Sequence, residues 1–190
     1  MLQQRTTLAA AKQLKPLTQG TLSKLCGLYA FLNAVQLALY PRRLSRAELQ
    51  SIYVQGISHL AGHRHLKRVL GKGMNEDVWL ELWQALTAAV NADLHVDLAC
   101  RFILKRPART SLPRALQAVE DALLDGYPVL ACFGGALDHL TVISGCTSRR
   151  LTFFDSSGLG WVTTGGLSLL EGENRHWLMR TSVVALVDGW

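Results

Sequence analysis

The stretch QGTLSKLCGLYAFLNAVQ, residues 19–36, places Cys26 where a polar loop turns into a long run of helix formers. From Leu25 to Tyr40 the run is apolar on nearly every face, interrupted only by Asn33 and Gln36, which is the pattern of a helix buried inside a domain. The first turn of such a helix offers unpaired N–H groups and the positive end of the dipole, an environment suited to an anionic nucleophile. Free cysteine is also among the most commonly buried residue types. Cys100, Cys132 and Cys146 sit in apolar, strand-like surroundings and read as core filling. Position alone therefore leaves Cys26 open between nucleophile and packing residue, and partners elsewhere must decide.

Upstream, residues 1–15 are polar and alanine-rich, an N-terminal arm or short helix, and Pro16 separates them from a single domain over 16–190. Downstream, Pro41 ends the central helix and Ser45 to Glu48 form a capping box. It opens a helix carrying Leu49, Ile52, Tyr53, Ile57 and Leu60 on one face, to be stopped by Gly62 or Gly71. Asn75 is the expected N-cap of a helix over 76–90, with Val78, Trp79, Leu82, Trp83, Leu86 and Val90 at helical spacing. The period then changes. His95 to Leu104 alternates as a strand, Ser111 caps a helix through Leu124, and Gly126 closes it. Strand signals follow over 127–133, 139–146, 151–154, 160–164 and 178–187, with turns at Gly134-Gly135 and Thr147 to Arg150. These turns are too short for parallel crossovers, so the sheet is mostly antiparallel and the fold class is α+β, a helical half packed on a C-terminal sheet.

A chain of 190 residues with 49% hydrophobic residues buries a substantial core. Four cysteines without a CxxC pair or Cys/His ligand spacing argue against a zinc site and against a secreted disulfide scaffold, so no cofactor or metal is expected. The first twenty residues lack a signal peptide's apolar core and no stretch reaches ~18 apolar residues, so the expectation is a cytoplasmic protein with no membrane span. The formal charge of +6 is dispersed. Its denser patches, Arg42, Arg43 and Arg46, then His63, Arg64, His65, Lys67 and Arg68, lack interleaved aromatics and read as solvated helix faces rather than a nucleic-acid platform.

A cysteine nucleophile needs a base, and the base needs a third group to orient it. His139 opens the strand HLTVISGC and Asp155 ends the next strand, LTFFD. Antiparallel pairing brings the start of the first beside the end of the second, so a carboxylate meets an imidazole at the open end of the hairpin. Singly, each has a plainer reading, His139 as a polar strand end and Asp155 as a cap of the Asp-Ser-Ser-Gly turn. Asp138, adjacent to His139 along the strand, is expected on the opposite face. Gln19 is the candidate oxyanion donor beside the Cys26 backbone N–H, with Thr21 and Ser23 as substitutes.

Gln19, Cys26 at a helix start, His139 at a strand start and Asp155 at the next strand's end follow an order that resembles the papain-like cysteine peptidases. Within them, the segment LLDGYPVLACFGGALDHLTVISGCTSRRLTFFDSSG is similar to the bacterial branch related to bacteriocin leader-peptide peptidases. The resemblance implies a papain-like fold, Cys26 as nucleophile, His139 as general base and acid, Asp155 as its orienter and Gln19 as oxyanion donor. It implies a peptide or protein substrate. Gly27 stands where papain carries tryptophan, and Ser156 where the bacterial branch often carries proline. Transglutaminases and arylamine acetyltransferases share the order Cys, His, Asp, but with a much shorter Cys-to-His separation. An acyltransferase and a catalytically idle peptide-binding domain of the same fold are the alternatives. Trp161, Trp177 and Trp190 read as packing residues rather than cleft lining.

Overall fold

The apolar run after Cys26 forms helix α2 (Cys26–Ala38), whose Leu28, Phe31, Leu32, Ala34 and Val35 are almost wholly removed from water. The computed structural model describes residues 6–20, 24–105 and 107–189. Around α2 the first half adds α3 (Arg46–Gly62), α4 (Leu66–Lys72) and α5 (Glu76–Leu94). The capping box closes as expected, Ser45 accepting from the Glu48 N–H while the Glu48 carboxylate accepts from the Ser45 N–H. The helix ends at Gly62, and α4 is a separate element that the sequence pattern did not announce. Asn75 and Ser111 occupy N-cap positions without a side-chain capping bond. Helix α5 runs one turn beyond Val90, because Leu94 is also buried, and it stops at His95 in the left-handed region at φ 53°.

Residues 6–13 are β1 (Thr6–Thr7) and α1 (Ala9–Gln13), with Leu8 and Ala10 buried in the core. The second half contains β2 (Leu98–Phe102), α6 (Leu112–Leu124), β3 (Val129–Gly135), β4 (His139–Cys146), β5 (Arg150–Phe153), β6 (Trp161–Thr163), β7 (Leu167–Ser168), β8 (His176–Leu178) and β9 (Val184–Asp188). Among the described residues these form one sheet in the order β2-β9-β3-β4-β5-β6. Strand β1 lies on β4, β8 on the far part of β3, and only β7 and β8 pair in parallel. The architecture is thus α+β with a mostly antiparallel sheet.

Two local expectations are corrected. The strand expected over 178–187 is broken by a 3-10 turn at Arg180–Ser182. There the buried Ser182 hydroxyl accepts from the Cys132 N–H at 2.8 Å and donates to the Met179 carbonyl at 2.7 Å, replacing ladder bonds on β3. Gly134 and Gly135 also end β3 rather than form the hairpin turn, which falls over 136–138. The Trp177 ring lies directly on Gly134, where any Cβ would overlap it.

Helix α2 packs on β4, α3 and α5. Gly27 permits this approach, since a Cβ there would meet Met74 Sδ at 2.8 Å and Leu140 Cδ1 at 3.0 Å. Its carbonyl accepts from Trp83 Nε1 at 2.8 Å, tying the first turn of α2 to α5. Deeper in α2, buried Asn33 accepts from the Leu17 N–H at 2.7 Å and donates to the Leu17 carbonyl at 3.2 Å, imitating one rung of a strand ladder. That pins the segment leading to Gln19. No described helix is long and apolar enough to cross a membrane.

Replacing Asn33 by alanine leaves the paired Leu17 backbone groups without partners. The expected loss is about 1–3 kcal/mol, read as a lower urea midpoint at unchanged m-value.

Candidate active site

Cys26 is the first residue of α2, preceded by Leu25 at the N-cap, which has no side chain to cap the helix. The first N–H groups of a helix have no intrahelical acceptor, so the Cys26 backbone N–H is not bound within α2, and the residue is half-buried. Across from it, β4 begins with His139, only 8% exposed. The hairpin register sets Phe133 opposite His139, while β5 returns alongside β4 and delivers Asp155 just past its end.

His139 Nε2 lies 2.7 Å from Asp155 Oδ1. The other carboxylate oxygen, Oδ2, accepts the Ser157 N–H at 2.7 Å and the Leu159 N–H at 3.1 Å. Both oxygens are therefore engaged on a fully buried side chain, and the turn after β5 is wrapped around it. This arrangement fixes Nε2 as the nitrogen facing the carboxylate and leaves Nδ1 for Cys26. The Cys26 sulfur is close enough to act on the imidazole both as hydrogen-bond partner and as charge.

Burial by itself would depress the His139 pKa. Hydrogen bonds and charge from Asp155 and Cys26 outweigh it and push the group up to about 9. For Asp155 burial acts upward, and the hydrogen bonds from His139 and the Ser157 backbone, the nearby Thr141 hydroxyl and the imidazolium charge bring the carboxyl below its ordinary value. Thr141 is two residues along β4 from His139 and so shares its face. Its hydroxyl stands close to the carboxylate without completing a hydrogen bond of ordinary geometry.

Cys26 and His139 line one solvent-open cleft of about 170 Å³, together with Gln19, Cys132, Asp138 and Leu140. Lys24, Lys72, Gly73 and Met74 complete it from the helical half. Gln19 is strapped to the Asp155 turn, its N–H donating to the Ser156 carbonyl at 3.0 Å and its Nε2 to Ser157 Oγ at 2.9 Å. One amide hydrogen of Gln19 remains free of that bond, and its Oε1 is buried with no partner among the described residues. Thr21 and Ser23 lie outside the described residues.

Two expectations change here. Asp138 does not point away: it takes φ 38° in the turn and its residue borders the cleft, although the imidazole bonds Asp155 rather than Asp138. Cys132, read as core filling, opens on the same cleft. Burial, then the charges of Cys26, Asp138 and Glu76, push its thiol up to about 12. Lys72 and Met74 were missed because nothing in a short helix and its following loop ties them to a cysteine far upstream. The role of Thr141 was readable from strand alternation with His139 alone.

Trp161 and Trp177 do not line the cleft. The Arg150 guanidinium sits 4.0 Å over the exposed Trp161 ring, and Trp177 covers Gly134. Trp190 lies outside the described residues. In the basic patch near α3, Arg42 pairs with Glu48 at 2.7 Å. Elsewhere, His59, His63 and Glu81 form the one described cluster able to hold a metal ion. No protein-family model matches this chain, and comparison with curated proteins and with solved structures finds no match.

The raised His139 pKa makes a signed prediction. Its stabilising contribution is complete below the ordinary value of 6.5 and is lost as pH rises through about 9. The imidazole resonances of His139 should titrate near 9 and move toward 6.5 in Asp155→Asn. The decline in urea midpoint between those two pH values should flatten in the same variant. A midpoint near 6.5 in the unaltered protein would show that the pair does not hold its proton.

Proposed function

We propose that this protein is a cysteine peptidase, cleaving a peptide or isopeptide bond through Cys26, His139 and Asp155 on a papain-like fold. The observation that carries this reading is the 2.7 Å bond between His139 Nε2 and a fully satisfied, buried Asp155, with Cys26 at a helix start on the same cleft. A carboxylate so enclosed orients one imidazole and stabilises its cation, which is what a nucleophile's base requires.

The proton of Cys26 rests on His139 Nδ1, in keeping with the raised His139 pKa, and the Cys26 sulfur attacks the substrate carbonyl carbon. The oxygen takes the negative charge, held by the Cys26 backbone N–H and the free amide hydrogen of Gln19. Collapse of the tetrahedral intermediate breaks the C–N bond as His139 returns its proton to the leaving amine, and a thioester remains on Cys26. Water then attacks the thioester with its proton going to His139. The C–S bond breaks, releasing the acid and restoring the thiol. Throughout, the Asp155 carboxylate stays ionised and keeps the ring from turning. The strap from Gln19 to Ser156 and Ser157 supports this role, because it holds the amide at the mouth of the cleft against the turn that holds the base.

A peptide-library screen with an electrophilic thiol probe tests the reading. The expected result is cleavage by the wild type, none by Cys26→Ala, a kcat/KM lower by about 10²–10⁴ in His139→Ala, and a kcat lower by about 10²–10³ in Gln19→Ala. The probe should label Cys26 selectively and lose that selectivity in His139→Ala. Slow, equal labelling of all four cysteines with no cleavage would instead mark an idle peptide-binding domain.

A further inference from the structure

Helices α3 and α5 pack together outside the cleft, and at their contact three side chains converge. His59 lies in the last turn of α3 and His63, four residues on, is the C-cap residue just past its end, their ring centroids 4.2 Å apart and the planes inclined by 33°. Glu81 reaches them from α5, its Oε1 lying 3.6 Å from His59 Nε2 and 3.3 Å from His63 Nε2.

Hydrogen bonding decides what those nitrogens present. His63 Nδ1 lies 2.9 Å from the His59 backbone carbonyl, which can only accept, so Nδ1 carries the proton and the neutral ring turns a lone pair toward Glu81. His59 Nε2 is buried and has no hydrogen-bond partner among the described residues. Two imidazole nitrogens and a carboxylate oxygen thus face a common point within 4.8 Å of one another. Lone pairs gathered in this way repel unless something positive lies between them.

The two distances to Glu81 match a particular guest. Ligand atoms at ~2.0–2.1 Å from a tetrahedral metal are ~3.3–3.4 Å from each other, and the two distances to Glu81 Oε1 are 3.3 and 3.6 Å. We propose that His59, His63 and Glu81 form a binding site for a borderline divalent transition ion, zinc above all, that clips α3 to α5. Two imidazoles and one carboxylate suit Zn²⁺ or Co²⁺ and disfavour Mg²⁺ and Ca²⁺, which take oxygen ligands. The bond from His63 Nδ1 to a backbone carbonyl is the outer contact that fixes a ligating histidine's tautomer. His63 and Glu81 are each close to half exposed, so the fourth position opens to solvent and takes water. A search for cysteine ligands passes over this site, which is built from a His-x-x-x-His pair and a glutamate of another helix.

The test is titration of the metal-free full chain with Co²⁺ followed by its visible spectrum, and thermal melting with Zn²⁺, in the wild type, His63→Ala, Glu81→Gln and Cys26→Ser. Expected are one equivalent of tetrahedral Co²⁺ without a thiolate charge-transfer band, and a Tm raised by about 5–10 °C at a hundredfold excess over Kd. Affinity should fall at least ~10-fold in His63→Ala and Glu81→Gln and stay unchanged in Cys26→Ser. Because His63 and Glu81 are near the surface, both variants should fold, which their metal-free melting checks. Absence of stoichiometric binding, or binding that survives His63→Ala and disappears in Cys26→Ser, would overturn the proposal.

Discussion

A buried carboxylate with every oxygen engaged is the constraint on which the rest of the site depends. Removing Asp155 from water carries a penalty that its contacts must offset, and they come from three directions: an imidazole on β4 and two backbone N–H groups in the turn after β5. Such a pair is poor evidence for stability, because apolar groups of similar shape would often do as well. Its consequence is geometric. The turn over 155–159 closes on one carboxylate oxygen while the other holds the ring of His139. The same turn then receives Gln19 through the Ser156 carbonyl, so the loop before the cysteine is positioned by the turn that positions the imidazole.

The two halves of the chain meet by packing rather than by a linker. Gly27 lets α2 approach Leu140, the residue after His139, while Trp83 anchors the Gly27 carbonyl from the other side. Position 27 leaves no room for a side chain, since Met74 and Leu140 fill the space that one would need. Asn33 does the complementary work two turns along the helix, holding Leu17 and the segment that leads to Gln19. Sequence-distant elements are set against α2 at both points, and Cys26 has little freedom to drift from β4.

Much of this was legible in the residues. The buried helix followed from an uninterrupted apolar run, α3 from its capping box, and the antiparallel hairpin from strands too closely spaced for crossovers. The adjacency of His139 and Asp155 followed from hairpin geometry alone. What escaped were features made by long-range contacts. A serine hydroxyl buried against β3 breaks a strand that its composition favours, and a tryptophan from β8 keeps two glycines in β3 that look like a turn. Asp138 borders the cleft because a left-handed residue ends the alternation on which its expected direction rested.

Four cysteines share one chain, and their surroundings separate them. Burial pushes Cys146 up to about 11 and Cys132 to about 12, and it raises Cys100 in spite of the Thr87 hydroxyl at 3.3 Å. At neutral pH these three remain thiols, poor nucleophiles whatever their distance from a substrate. Cys132 is the instructive case, because it opens on the same cleft as Cys26 and differs from it in lacking a helix start behind it and an oriented imidazole in front. Sharing a cleft is therefore not enough to make a sulfur reactive. Of the four, Cys26 is the one with a helix start behind it and a carboxylate-held imidazole beside it.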